Sequence, residues 1–212
     1  PTRFLISVAG GMPPDVIFFD RFAITEWAFR GAFTPLDDYI RRDLAAGDPD
    51  TPQAASFYPS CWNEAMYDGR VYGIPNSVDN RALYYNKDLL ERAGLVDDAG
   101  EARPPRDWDE LRDYARKLTE RGADGRLKVV GFAPMYGNSW LYMFGWMNGG
   151  TFMSPDGRRC SLNDPRIADA LRYVVDVYDD AGGYDKVSGF QAGFQGGELD
   201  PFIQGKIAMK ID

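Results

Sequence analysis

The sequence predicts an α/β fold in which strands and helices alternate in layers. Three observations carry that expectation. Residues Leu83 to Ala93 spell strand, cap and helix in succession; Val16 to Phe19 is a short apolar run bounded by turn residues, the pattern of a strand buried on both faces of a parallel sheet; and Lys206 to Asp212 alternates as a strand does. With 212 residues and 44% hydrophobic composition the chain can bury one good core or two modest ones.

Taken in order, Phe4, Leu5 and Val8 have the spacing of a helix tail, and Pro14-Asp15 turns the chain into the strand Val16 to Phe19. In an open α/β sheet function sits past the carboxyl ends of the strands, which is where Asp20 and Arg21 stand. A helix from about Ala23 to Arg30 stops at Gly31, and residues 45 to 56, rich in Ala, Asp and Pro, read as a loop. A second helix is predicted over Pro59 to Tyr67, with Asp68-Gly69 turning into the strand Val71 to Ile74. After Pro75 to Arg81 come the strand Ala82 to Tyr85 and a helix over 87 to 93, for which Asn86 is the N-cap and Gly94 the left-handed stop. Asp107-Trp-Asp-Glu110 resembles a capping box, and Leu111, Tyr114, Ala115 and Leu118 form one apolar helical face. Val129 to Ala133 reads as a strand and Asn138 to Met147 as a helix. Asp164-Pro165 opens a long helix that buries Ile167, Leu171, Val174, Val175 and Tyr178 and ends at Gly182-Gly183.

Composition removes several functions. The balance of 24 basic and 32 acidic residues gives a net charge of -8, and no basic cluster exceeds the pair Arg41-Arg42, so nucleic acid is excluded as a partner. Mean hydropathy of -0.40 and the lack of an apolar run of roughly 18 residues argue against a membrane span. Histidine is absent, which removes Ser-His-Asp and Cys-His machinery and imidazole metal sites. Cys61 and Cys160 form no CxxC pair, so neither a metal site nor a redox motif is expected of them. The glycines of Gly189 to Gly197 lack both nucleotide-loop spacings and read as a flexible surface loop; no cofactor is expected. The acidic pairs Asp37-Asp38, Asp97-Asp98 and Asp179-Asp180 read as solvated, without the partners glycoside hydrolysis needs.

The segment Leu83-Tyr-Tyr-Asn-Lys-Asp-Leu-Leu-Glu-Arg-Ala93, with Phe57 to Pro75 upstream and Pro104-Pro-Arg-Asp-Trp-Asp-Glu-Leu111 downstream, resembles the extracellular solute-binding proteins that feed ABC importers, in their sugar-binding branch. The resemblance implies a two-lobe, periplasmic-binding-protein-like fold of type II. Residues 1–76 would be a partial first lobe, 77–81 a hinge crossing and 82–212 most of the second lobe, with a carbohydrate held in the cleft. It also implies a membrane permease as partner, a monomer, and a periplasmic or extracellular location with or without a lipid anchor. Because the family is nearly twice as long, and the chain opens on Pro1 and closes on a strand, the expectation is an internal fragment of a longer exported protein.

A sugar offers rings of hydroxyls and a weakly apolar C–H face, so its site combines carboxylates, amides and flat aromatics. The resemblance places such groups at Asp20 and Arg21, from an Asp-Arg-Phe at a strand end; at Asp79 and Asn80 on the crossing; and at Tyr136, Asn138 and Trp140 on a loop of the second lobe. The competing interpretations are a helix cap for Asp20, a hinge-stabilising carboxylate for Asp79 and core packing for the aromatics. Trp62 and Trp108 are expected to pack. An enzyme working with two carboxylates and a ligand-sensing receptor module are the alternative functions.

Overall fold

Side-chain caps at Asp20, Asn86, Asp107 and Asp164 open four of the helices. The computed structural model describes residues 2–78, 80–194 and 200–212 and divides into two compact units, Pro1–Asp79 and Asn80–Asp212.

The first unit is assembled from helices α1 (Thr2–Ala9), α2 (Arg21–Phe29), α3 (Asp37–Ala45) and α4 (Pro59–Glu64), with a 3-10 turn over Ala54–Ser56. Strands β1 (Met66–Tyr67) and β2 (Arg70–Val71) form a hairpin. Asp20 caps α2, its carboxylate accepting from the Phe22 N–H at 3.1 Å. The Asp68-Gly69 turn has both residues at positive φ, 49° and 73°, the type I′ geometry that matches hairpin twist. The expected strand over Val71 to Ile74 is therefore confined to β2, and the helix begun at Pro59 ends before the hairpin. Phe4 sits among Phe19, Trp27 and Phe33, with ring centroids 5.5 to 5.8 Å away. Trp62 is buried and stacks on Phe57 at 5.3 Å, a packing role as expected.

Further sequence expectations fail in this unit. Val16 to Phe19 joins neither sheet: Val16 and Phe18 are exposed while Ile17 and Phe19 are half-buried, so an extended segment with one covered side stands where two buried faces were expected. An apolar run becomes a central strand only when neighbours pair with its backbone, and among the described residues none does. Helix α3 stands where no helix was expected; it buries no residue, and only Ile40 and Leu44, four residues apart, mark its apolar side. Its Asp37 is not solvated but ion-paired with Arg70 at 3.4 Å.

The second unit contains β3 (Leu83–Tyr85), α5 (Lys87–Arg92), α6 (Trp108–Leu118), β4 (Glu120–Arg121), β5 (Leu127–Gly137), α7 (Leu141–Met147), α8 (Pro165–Asp180), α9 (Tyr184–Ala192) and β6 (Ile207–Ile211). Its sheet runs β3-β6-β5-β4, with β5 and β6 parallel and the other pairs antiparallel. Strand β5 is buried on both faces from Val129 to Pro134. Helix α6 lies so close to it that a Cβ on Gly131 would sit 2.1 Å from the Ala115 carbonyl oxygen. The predicted face of α6 (Leu111, Tyr114, Ala115 and Leu118) is the buried one. Asn86 caps α5 by accepting from Leu89 N–H at 3.1 Å, and Gly94 takes φ 66°. Asp107 caps α6 through Glu110 N–H at 2.8 Å, while the Glu110 carboxylate reaches back to Arg106 N–H at 2.7 Å.

Helix α8 keeps three of the five residues expected on its buried face, Ile167, Val174 and Tyr178. It buries Ile167, Ala170, Val174, Val177 and Tyr178, leaving Leu171 and Val175 exposed along an apolar groove with Met135 and Tyr184. Asp180 is not solvated either: it accepts from Arg112 at 2.6 Å and Arg116 at 2.9 Å, tying α8 to α6. Gly189 belongs to α9 rather than to a loop, and residues 195–199 of that expected loop lie outside the described residues.

Candidate functional site

The carboxyl ends of the two parallel strands, where an open sheet presents its ligands, carry a connected polar cluster. Strand β5 pairs with β6 at Val130↔Ile207 and Phe132↔Met209, then again only at Gly137↔Ile211, so β5 advances five residues (132 to 137) where β6 advances two (209 to 211). The surplus forms a bulge over Ala133 to Tyr136, a device that re-aims side chains near functional sites. Pro134 fits there because it has no N–H to lose from the ladder. The freed Met135 N–H donates instead to the Tyr178 hydroxyl at 3.0 Å.

The bulge turns Tyr136 toward Asp200, to which its hydroxyl is hydrogen-bonded, and puts its ring 5.7 Å from Lys210 Nζ. Lys210 Nζ donates to Asp212 Oδ2 at 2.8 Å, lies 3.7 Å from Asp200 Oδ2 and stands 5.3 Å from the Phe202 ring. Asn138 Nδ2 donates to the other oxygen of Asp212 at 2.6 Å. The Asp212 backbone pairs with Ala82 at 3.1 and 3.2 Å, extending the β3–β6 ladder beside the cluster.

These contacts set the charges. The hydrogen bond from Lys210 holds the Asp212 carboxyl below the usual carboxylate range, and Asn138 adds to it. Burial works against ionisation of Asp200, but hydrogen bonds from Tyr136 and the N–H groups of Phe202 and Ile203 outweigh it and keep that carboxyl low as well. Burial, then the bond to Asp200, push the Tyr136 hydroxyl up, so it stays a donor. Both carboxylates are therefore acceptors at neutral pH.

Of the residues singled out from sequence, Tyr136 and Asn138 belong to this cluster, although Tyr136 is engaged with Asp200 and Lys210 rather than free to stack. Trp140 is 55% exposed and is the extended N-cap of α7, so the helix expected from Asn138 begins only at Leu141. The chain first turns at Gly137 (φ 78°) and is held by the Asn138–Asp212 bond. Between them Ser139 is 2% exposed and its Oγ has no partner among the described residues. Asn80 is exposed, and Asp79 lies outside the described residues. In the first unit Asp20 caps its own helix and Arg21 binds Glu64 at 2.9 and 3.0 Å while lying over the Phe22 ring. Trp108 stacks on Tyr173 at 4.6 Å and is a packing residue. Both cysteines are free thiols.

Sequence reasoning missed Asp200, Lys210 and Asp212. A signal existed for the last two: they stand two apart at the end of an alternating strand and so share one face. Among the described residues there is no grouping of side chains suited to a metal ion, and no helix is long and apolar enough to cross a membrane.

Comparison with known proteins places this geometry. CpMnBP1, solved with mannobiose bound, superposes with a TM-score of 0.81 at 33% identity, over 99% of this chain and 50% of its own. The ABC substrate-binding protein Lmo0181 from Listeria monocytogenes, in complex with cycloalternan, gives a TM-score of 0.77 at 26% identity, over 99% of this chain and 50% of its own. The sn-glycerol-3-phosphate-binding periplasmic protein UgpB of Rhizobium meliloti is 30% identical over 114 residues, 52% of this chain and 24% of that protein. The chain spans about half the length of the first curated relatives it matches, 46% for a binding protein of Brucella abortus. With the family model described as bacterial extracellular solute-binding protein matching residues 2–212, and with the parallel strand ends built as above, the chain belongs to the bacterial extracellular solute-binding protein family.

Proposed function

We propose that the protein of which this sequence is a part is the substrate-binding component of an ABC importer, that its ligand is a carbohydrate, and that it catalyses no reaction. The observation that carries this reading is the strand-end cluster: an Asn138 amide and an Asp212 carboxylate bound to each other, beside an exposed Trp140. Amide, carboxylate and indole are the three groups that hydroxyls and a C–H ring face call for. The likeness to CpMnBP1, seen with mannobiose, supports a neutral glycan. Asp20, Asp79, Asn80, Asn138 and Trp140 are assigned as ligand contacts. Arg21 and Tyr136 are assigned to the site as well, but act mainly through the partners they already hold. On the same reading residues 1–76 and 82–212 belong to two lobes, with 77–81 as the crossing between them. The protein works as a monomer outside the cytoplasmic membrane, lipid-anchored or free, and delivers to a permease.

A carboxylate-based glycosidase is the less favoured reading. Such an enzyme needs one carboxyl protonated as general acid, whereas Asp200 and Asp212 are both held in the charged form around one ammonium.

Isothermal titration of the whole protein with mannobiose tests the proposal. Trp140→Ala and Asp79→Ala should each weaken binding by roughly 1 to 3 kcal/mol, the scale of a lost stacking face or unpaired polar groups. Chromatography after long incubation should return the sugar unchanged. Cleaved sugar would defeat the binding-protein reading, and unaltered affinity in both variants would remove these residues from the site.

A further inference from the structure

We propose that Lys210 is a positioning residue that fixes Asp212 and Asn138 as a paired acceptor and donor for the hydroxyls of a neutral sugar, and that the cluster it completes turns anionic ligands away. The proposal rests on the carbohydrate reading above and goes further by assigning the ligand's charge.

A lysine near a ligand site ordinarily suggests a counter-ion for phosphate or carboxylate. The geometry of Lys210 argues the reverse. Its ammonium is shared by two carboxylates, Asp212 at 2.8 Å and Asp200 at 3.7 Å, so no side of it is held open for an anion. Two carboxylates and one ammonium leave the group with one net negative charge. The ammonium is already directed at Asp212 and Asp200 and lies against the rings of Tyr136 and Phe202, which suit a cation and offer an anion nothing. An arriving phosphate would have to displace two carboxylates of its own sign from a nitrogen they already share.

The same contacts explain what Lys210 does for a hydroxyl ligand. It holds one oxygen of Asp212 while Asn138 holds the other, so the carboxylate is fixed at both ends and keeps lone pairs for further donors. Without the ammonium, Asp200 and Asp212 would be like charges in one cluster, and one of them would take up a proton more readily. Family membership does not decide the ligand's charge, since the Rhizobium meliloti relative is named for sn-glycerol 3-phosphate.

Titration calorimetry on the whole protein separates these ideas, with three probes: a panel of neutral mono-, di- and trisaccharides including mannobiose, sn-glycerol 3-phosphate, and digalacturonate. The wild type should take a neutral sugar and bind either anion about 100-fold more weakly or not at all, as like-charge juxtaposition requires. Lys210→Met should weaken the sugar by about 10- to 100-fold, the scale of a lost charged hydrogen bond. Its affinity should also fall as pH is lowered toward the ordinary carboxylate range near about 4, whereas the wild type stays level over the same span. Lys210→Arg, which keeps the charge and guards against a Met variant that does not fold, should retain the level pH profile. A sugar-binding wild type whose Lys210→Met variant matches it in affinity and pH profile would remove the role of Lys210 and leave the carbohydrate reading standing. Tight binding of glycerol 3-phosphate or digalacturonate would overturn the charge assignment. A wild type that binds no sugar of the panel would overturn both readings.

Discussion

The two units of this chain are packed to different standards. In the second, one continuous cluster runs from Leu89 to Ile211 and includes Leu90, Val130, Ile207 and Met209 with no exposure at all. In the first, the buried apolar residues are Phe4, Ile24, Trp27, Ala28, Trp62, Ala65 and Val71, each 6–8% exposed, and Val16, Phe18, Phe22, Phe29 and Tyr58 face outward. The difference follows from the sheets. A strand buried on both faces, such as β5, gives helices two surfaces to cover, whereas a two-residue hairpin gives them almost none. Within the described residues, apolar side chains gather into a core where a long strand is there to receive them, and face outward where none is.

Substitutions can break or sharpen that contrast. The largest effect is expected at Gly131, where a Cβ would collide with the Ala115 carbonyl at 2.1 Å. Gly131→Ala should cost about 3 kcal/mol or more, beyond ordinary overpacking, because backbone must move. Its counterpart in the first unit, Gly73→Ala, would place a Cβ 3.7 Å from Ile24 and 3.9 Å from Ala65, ordinary contacts, and should stay within about 0.5 kcal/mol. Urea unfolding of both variants measures the pair, and equal losses would erase the contrast.

Next comes Tyr178→Phe, which strands the Met135 N–H at the β5 bulge. The expected loss is about 0.5 to 1.5 kcal/mol, the net contribution of one hydrogen bond at a part-buried site. A neutral result would mean that water or a shifted backbone takes over the bond.

A smaller, pH-gated effect belongs to Glu110. The hydrogen bond from Arg103, followed by Arg106 N–H, pulls its carboxyl down to about 2. A depressed carboxyl stabilises the fold fully above its unfolded value of about 4.3 and loses that contribution as pH falls toward the folded value. Glu110→Gln should therefore be less stable than wild type at neutral pH, and the gap should close between about pH 4 and about pH 2. Thermal melts across that range check it, and a pH-independent gap would assign the effect to the lost cap geometry alone. The smallest effect is expected for Arg21→Ala in the first unit: its ion pair with Glu64 is about 40% exposed on both sides and should contribute under about 1 kcal/mol.

The sequence by itself determined the features that are settled within a few residues. The Asn86 cap with Gly94 after it, the Asp107 cap and the Asp68-Gly69 turn follow from short-range hydrogen bonding and backbone sterics, the α6 face follows from helical periodicity, and all stand where those rules put them. The failures have a common cause. Val16 to Phe19 has the composition of a buried strand, but whether it becomes one depends on pairing that the segment does not encode. Helix α8 buries the expected Ile167, Val174 and Tyr178 but takes Ala170 and Val177 in place of Leu171 and Val175, a choice among apolar residues that hydrophobic spacing alone does not make. The site was legible only in part: Tyr136, Asn138 and Trp140 could be read from one short loop, whereas Asp200, Lys210 and Asp212 join them from 60 or more residues away. Only the tertiary structure decided that meeting, because the parallel pairing of β5 with β6, and the bulge that interrupts it, bring two distant strand ends to the same edge of the sheet.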